Sequence, residues 1–246
     1  MLKIDFHTHI LPRMDDGSKS IEQSKEMLKI LAADGVDVVV LTPHFYINLE
    51  NCEKFLQRRK ASFEALSQIA PSIPNCPKLL LGAEVYYYSL LSNIDLQPLC
   101  IENTNYLLVE LPFLRFNDTF YTQFSNFVSA GKYKIILAHI DRYFGLNSDA
   151  AIENIISSGN AFVQINASSL IDDGYFKRKK ILRMIADEKV HIIGTDTHNL
   201  DDRKPEYKKA ENIITTKLGK SAFDSLCFNG EKILSNADKE SAFIMV

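Results

Sequence analysis

Val36-Asp37-Val38-Val39-Val40-Leu41 is an apolar run of strand length, and Thr42-Pro43-His44 follows it at once. The run is nearly continuous rather than strictly alternating, which is how a strand buried on both faces reads. Six further segments read the same way: Leu2–Phe6, Leu79–Ala83, Tyr106–Leu111, Lys134–Ala138, Ala161–Ile165 and His191–Gly194. Stretches of helical period separate them. Ser20-Ile-Glu-Gln23 has the form of a capping box, Ile21, Leu28 and Leu31 supply a core-facing stripe, and Gly35 stands where a helix ends. Asn51–Ile69 sets Phe55, Phe63, Leu66 and Ile69 among charges. Thr119–Ala130 stops at Gly131, and Ala150–Ser158 stops at Gly159. Phe116, Phe120, Phe124 and Phe127 share one helical face and are predicted to be core. Strands separated by helices predict right-handed β-α-β units and a mostly parallel sheet. The 246 residues suit an αβ barrel. The expectation is therefore an α/β fold, a distorted (β/α)7 barrel rather than an open doubly wound sheet. It fills a single domain over residues 1–246, with helices after Asp201 packing outside the barrel.

Composition narrows the function. Hydrophobic residues make up 46% of the chain, enough for a full core. The 28 basic and 31 acidic side chains leave a net charge of −3, which argues against a general nucleic-acid binder. No apolar run approaches a membrane span, and the start, Met1-Leu-Lys-Ile-Asp-Phe-His7, has no signal-peptide core. Cys52, Cys76, Cys100 and Cys227 form no C-x-x-C pair, which predicts free thiols in a reducing cytoplasm.

The chemistry lies at the strand ends. Five of the six histidines, His7, His9, His44, His139 and His198, fall at or just past the end of an expected strand. Asp16, Glu84, Glu110 and Asp196 occupy the same level. In a parallel αβ barrel these ends meet on one rim, so nine side chains distant in sequence converge there. Crowded carboxylates would repel one another and lose hydration, and cations remove both penalties. Imidazole with carboxylate and no thiolate suits Mn, Fe or Zn in catalytic use. Nine ligands exceed the needs of one ion, so two or three divalent ions are expected. His191, at the start of its strand, is expected to be structural. Arg142 and Arg203 each follow a candidate ligand segment closely, and guanidinium forks match phosphate oxygens. Phe45, Tyr46, Tyr86, Tyr87 and Tyr88 place aromatic surface near the rim, although strand alternation sends some of them into the core.

Nucleophilic alternatives fit less well. The chain has neither a G-x-S-x-G elbow nor a G-x-x-x-x-G-K-[ST] loop. Cys52 and Arg58 have the spacing of a cysteine-based phosphatase loop, but the residues between them lack glycine and read as helix. A helix interior has no backbone N–H groups free to cradle phosphate.

His7-Thr-His9, Asp15-Asp16-Gly17, Pro43-His44, Gly82-Ala-Glu84-Val-Tyr86, Glu110, His139-Ile-Asp-Arg142-Tyr143 and Asp196-Thr-His198-Asn-Leu together resemble the polymerase-and-histidinol-phosphatase (PHP) superfamily. More narrowly, they resemble its bacterial protein-tyrosine phosphatases of capsule and exopolysaccharide loci. The resemblance implies a TIM-like barrel holding three metal ions, commonly manganese. It implies one ion on His7, His9, Glu84 and Asp196, a second on Glu84, Glu110 and His139, and a third on Asp16, His44 and His198. It also implies phosphate binding by Arg142 and Arg203, and a phosphotyrosine protein, a polysaccharide-export tyrosine autokinase, as substrate. Asp141 stands where relatives carry Glu and is not in the implied ligand set. The implied reaction is attack of a metal-bound hydroxide on phosphorus. A small-molecule phosphatase acting on a compound such as histidinol phosphate, an amidohydrolase with a similar metal centre and a non-catalytic metal-binding module remain alternatives.

Overall fold

The computed structural model describes residues 1–157 and 161–235. Its strand segments are β1 (Ile4–Thr8), β2 (Val38–Leu41), β3 (His44–Phe45), β4 (Lys78–Leu81), β5 (Glu84–Tyr86), β6 (Tyr106–Glu110), β7 (Lys134–Leu137), β8 (Phe162–Asn166) and β9 (Ile192–Gly194). The α-helices are α1 (Ile21–Ala33), α2 (Cys52–Ile69), α3 (Asp118–Ser129), α4 (Asp149–Ser157), α5 (Ala167–Ile171), α6 (Tyr175–Ala186), α7 (Tyr207–Leu218) and α8 (Lys220–Ser235). Every strand pairing is parallel: β1-β2-β4 form one sheet, and β3-β5-β6-β7-β8-β9 form the other. Just past β9, Asp196 N donates to His7 O at 2.8 Å and His9 N donates to Thr197 O at 2.9 Å. The strands thus curl round until β9, at the end of the second sheet, lies against β1 of the first.

Two expected strands are interrupted. Pro43 has no N–H for the ladder, so β2 stops at Leu41 and pairing resumes at His44. The expected Leu79–Ala83 strand breaks at Gly82-Ala83 and resumes at Glu84, where Glu84 N donates to Pro43 O at 3.1 Å. The first strand starts later than expected and takes in His7 and Thr8, because Thr8 pairs with both Leu41 and Thr197. The remaining strand ends move by a residue or two. Burial on both faces holds: Val39, Leu41, Val109 and Leu137 pack against the helices, whereas Val38, Val40, Leu108 and Ile136 join a second cluster with Ile233 of α8.

Local signals set the helices. Ser20 Oγ accepts from Gln23 N at 3.2 Å, and the Gln23 side chain returns to Lys19 N, one residue short of a reciprocal box. Gly35 has φ +77° just past α1, a left-handed geometry that favours glycine. Asn51 and Asn117 cap α2 and α3 by accepting from Lys54 N and Phe120 N, both at 2.9 Å. Phe120, Phe124 and Phe127 are buried around Tyr87, and Phe116 stacks on Phe120 at 4.8 Å. Met27, Leu28 and Leu31 are the buried stripe of α1, with Ile21 packed at its edge. The helix expected over Ala150–Ser158 is α4, and its expected stop at Gly159 lies outside the described residues. Cys52 opens α2, so Cys52 and Arg58 lie on a helix, where Arg58 is held by Glu50 and by the Met14 carbonyl. Burial pushes the Cys100 thiol up to about 12 and the Cys227 thiol up to about 11, as inert thiols require. Among the described residues no helix is long and apolar enough to cross a membrane.

Candidate metal centre

All nine rim side chains meet on one side of the curled sheet. Their ligand atoms fall into four overlapping groups, each within 4.8 Å: His9–Asp16–His44–His198, His7–Glu84–His139, His7–His9–Asp196 and His44–Glu84–Glu110. Glu84 is the hub. Its Oε2 lies 3.1 Å from His7 Nε2, 3.3 Å from His9 Nε2 and 2.9 Å from His44 Nδ1, while Oε1 accepts from His139 Nε2 at 2.7 Å. Asp196 Oδ1 stands 3.4 Å from the Nε2 atoms of both His7 and His9. Asp16 Oδ1 lies 3.5 Å from His44 Nε2 and 3.4 Å from His198 Nε2. The groups overlap more than the expected division by ion does: His9 also joins the Asp16 group, and His44 also reaches Glu84 and Glu110.

The polar atoms here are close without being satisfied. Glu84 Oε2, Asp196 Oδ1, His44 Nδ1 and His198 Nε2 are buried and lack a hydrogen-bond partner. Such atoms are costly unless something else binds them. Their nearest neighbours among the nine side chains lie at 2.9–3.4 Å, gathered around a few shared points. Three imidazoles are fixed so that Nε2 faces these points. His7 Nδ1 donates to Gln164 Oε1 at 3.3 Å, His9 Nδ1 to Asp15 Oδ2 at 2.8 Å and His198 Nδ1 to Asp196 O at 2.9 Å. A metal-ligating histidine is held in this way through its other nitrogen. The residues present therefore fit divalent cations.

Charge points the same way. Burial opposes ionisation of Glu84 and Asp196, but His7 and its neighbours outweigh it and hold both carboxyls well below the usual range. Glu110 goes the other way, raised by burial and by the Glu84 charge. Arg142 and the nearby imidazoles only partly offset those two effects. Arg142 donates to Glu110 Oε1 at 2.8 Å and to Asp196 Oδ2 at 3.1 Å, and Arg203 donates to that same Asp196 oxygen at 2.7 Å. Burial opposes the Arg142 charge, but Asp196 and Glu84 raise its pKa further, so it stays cationic. Each guanidinium side chain remains 36% exposed, which leaves N–H groups for a ligand at the mouth.

The backbone is shaped around the centre. His139 and Asp196 both have positive φ, 30° and 54°, costly for these residues and common where a site imposes geometry. A Cβ on Gly194 would stand 2.5 Å from His7 Cβ, and one on Gly17 would stand 2.3 Å from His9 O. Both positions therefore need glycine so that the chain can pass against the two histidines.

Several supporting residues were not expected from the sequence. Asp5, fully buried, accepts from Thr195 N at 2.8 Å and Thr195 Oγ1 at 2.6 Å, pinning the seam between His7 and Asp196. Asp15 accepts from His9, from His44 N at 2.9 Å and from Gly17 N at 2.9 Å. Gln164 accepts from His139 N at 2.7 Å, and Asn166 Nδ2 donates to Asp196 Oδ2 at 2.8 Å. Asp141 accepts from Asn166 N and from Ser169 Oγ, so it braces the β8 loop beside Arg142. The legible signal is a polar residue inside an apolar strand, as in Ile4-Asp5-Phe6 and Val163-Gln164-Ile165-Asn166. His191, away from the centre, accepts from Val163 N at 3.0 Å through Nδ1 and packs on Phe162.

Alternation divides the rim aromatics. Phe45 and Tyr87 are buried in the core. Tyr46, Tyr86 and Tyr88 are half-buried and form a ladder beginning at His44, with centroid spacings of 5.3, 5.4 and 5.0 Å.

A family model described as capsular polysaccharide synthesis, CpsB/CapC, matches residues 3–235. Tyrosine-protein phosphatase CpsB of Streptococcus agalactiae serotype V is 31% identical over 254 residues, covering 95% of this chain and 98% of the relative. Tyrosine-protein phosphatase YwqE of Bacillus subtilis is 28% identical over 239 residues, covering 95% of this chain and 92% of its own. Among solved structures, one from work on the metal-dependent tyrosine phosphatases YwqE of Bacillus subtilis and CpsB of Streptococcus pneumoniae superposes with a TM-score of 0.81. It is 24% identical, covers 95% of this chain and 94% of that chain, and supports the fold.

Proposed function

This chain belongs to the CpsB/CapC family of capsular polysaccharide synthesis, and from that premise we propose that it is a metal-dependent protein-tyrosine phosphatase. The observation that carries the reading is the rim itself: nine imidazole and carboxylate side chains with orphaned ligand atoms, beside two arginines that meet at one carboxylate oxygen. The rim suits two or three divalent ions, manganese first, with iron or zinc chemically acceptable. In this reading His7, His9, Glu84 and Asp196 hold one ion, Glu84, Glu110 and His139 a second, and Asp16, His44 and His198 a third. Such ions supply Lewis acidity to a phosphoryl group and lower the pKa of water.

The chain's own residues do the rest. Arg142 and Arg203 grip the free phosphoryl oxygens, and their fixed charge matches the charge that builds there in the transition state. Gln164, Asp15 and the Asp196 carbonyl keep His7, His9 and His198 in the tautomer that presents Nε2. Tyr46 and Tyr86 offer ring faces to a phenyl group bound beside His44. A phenolate leaves readily because the tyrosine pKa is about 10, so little protonation of the ester oxygen is needed. The same reading counts β2 with β3, and β4 with β5, as single interrupted strands of a distorted (β/α)7 barrel of the PHP type. The family's place in capsule synthesis favours a tyrosine autokinase of polysaccharide export as the phosphoprotein.

The test is kcat/KM of the manganese-loaded protein on a phosphotyrosine peptide against histidinol phosphate. The peptide is expected to be the better substrate. A large preference for histidinol phosphate contradicts the reading and selects a small-molecule phosphatase.

A further inference from the structure

The mouth of the centre is polarised. β3, β5 and β6 are consecutive neighbours in the six-stranded sheet, and each is followed by a loop on the metal-centre rim. Those three loops carry Leu49 (75% exposed), Leu90 (60%) and the pair Phe113 (65%) and Leu114 (40%). The half-buried ladder of Tyr46, Tyr86 and Tyr88 runs from His44 toward these loops. The opposite side of the mouth is polar and of mixed charge: a cleft of ≈ 240 Å³ lined by four cations, Arg142 and Arg203 among them, and by six carboxylates, Asp196 among them.

The apolar side is built rather than loose. Asn147, itself buried, accepts from Phe116 N at 2.8 Å and donates to Leu114 O at 3.1 Å, and Leu114 N donates to Pro112 O at 2.8 Å. Phe113 is therefore held out to solvent on a loop tied at both ends, so little order has to be imposed when something packs on it.

Resting on the phosphatase reading above, we propose that this arc is the docking surface for substrate residues flanking the phosphotyrosine, and that it selects apolar ones. Leu90 follows Tyr88 by two residues, so the arc takes up where the tyrosine ladder ends, and its four exposed side chains are more than one phenyl ring can cover. Extended chain advances about 3.3–3.6 Å per residue, so three residues on one side of the phosphotyrosine span about 10 Å of surface beyond the ring slot. Phosphoryl oxygens face the arginine side, and flanking leucine, isoleucine or phenylalanine side chains lie on the arc.

The probes are phenyl phosphate and two phosphotyrosine peptides, identical except for leucine or serine at the positions within three residues of the phosphotyrosine. The manganese-loaded protein is expected to favour the leucine peptide by about tenfold in kcat/KM, as partial burial of a leucine side chain predicts. In the exposed double variant Leu90→Ser/Phe113→Ser that preference falls to near unity, and phenyl phosphate turnover stays within about twofold. Fluorescence anisotropy of the labelled peptides is expected to show the same loss in Kd. Tyr175→Ser/Phe176→Ser, on α6 beyond β8, keeps the preference. Equal rates on the two peptides, or a preference that survives the Leu90/Phe113 change, overturn the inference while leaving phenyl phosphate turnover intact. So does a concentration-dependent dimer that the Leu90/Phe113 variant loses, since the arc is then a self-association surface. Failure to hydrolyse phenyl phosphate and both peptides removes the phosphatase reading itself.

Discussion

Replacing Asp15 tests whether the supporting layer matters as much as the ligands. The Asp15 carboxylate is almost out of water and accepts three hydrogen bonds, from His9 Nδ1 at 2.8 Å, His44 N at 2.9 Å and Gly17 N at 2.9 Å. Burial opposes its charge, but the neighbouring His9 holds its carboxyl below the usual range. Asp15→Ala frees the His9 ring to rotate and removes the group that raises its basicity. Losing such a partner typically costs 10–100-fold in metal affinity, or about 1.4–2.8 kcal/mol. Two backbone N–H groups lose their acceptor as well, at about 1–3 kcal/mol each where water does not replace it. Asp15→Asn keeps the shape but turns an N–H₂ toward a donor, because Oδ2 serves His9 and His44 while Oδ1 serves Gly17. It is therefore expected to fall between wild type and alanine. The assay is manganese titration against a competing chelator, with thermal denaturation of the metal-free protein alongside. Wild-type manganese affinity in Asp15→Ala, with unchanged kcat/KM, would refute the argument that this carboxylate orients His9.

Arg142→Ala and Arg203→Ala are each expected to retain metal and fold but lose about tenfold or more in kcat/KM, since a charge-assisted contact contributes roughly 1.5–3 kcal/mol. Lysine should rescue poorly for want of a planar fork, and unchanged kinetics in both alanine variants would remove the arginines from the site. Alkylation of the half-buried Cys52 and Cys76 thiols should leave turnover intact, because no cysteine lies in the centre; inactivation of the folded, metal-loaded protein would count against the metal reading. Burial raises the Asp5 carboxyl to about 6 from an ordinary 3.8. The folded state therefore holds a proton that the unfolded chain has released, and this group's contribution falls as pH rises from about 4 to 6. The change is about 3 kcal/mol, present in full below the unfolded value. Asp5→Asn should remove that fall, so denaturation of the metal-free proteins at pH 4 and pH 7 should show the variant gaining on wild type at the higher pH. A constant difference between them would show that folding leaves the Asp5 pKa unshifted.

The parallel α/β arrangement was legible because its strands are buried on both faces, so runs such as Val38–Leu41 and Tyr106–Glu110 stand out from the helical stretches between them. The nine rim residues were legible for a related reason: polar side chains ending apolar runs gather on one rim whenever the sheet is parallel. The breaks at Pro43 and Gly82 were harder to place. Each interrupts the regular strand for two residues and pairing then resumes, which hydrophobic pattern does not report. Asp5, Gln164 and Asn166 stand out as polar residues in apolar strands, but their roles were missed because position in the chain says nothing about a hydrogen-bond partner. Thr195 lies 190 residues from Asp5, and only the closing of the sheet brings them together. The grouping of the candidate ligand atoms was least legible, since Glu84 alone reaches four imidazoles.

The central claim is that the rim holds divalent cations and that phosphotyrosine hydrolysis depends on them. The most direct measurement is elemental analysis and phosphotyrosine-peptide turnover on one sample, before chelation, after it and after return of Mn²⁺, with Glu84→Ala in parallel. The account predicts more than one ion per chain, activity that disappears and returns in step with bound metal, and low occupancy in Glu84→Ala. Full turnover by metal-free protein, or full occupancy in Glu84→Ala, would contradict it.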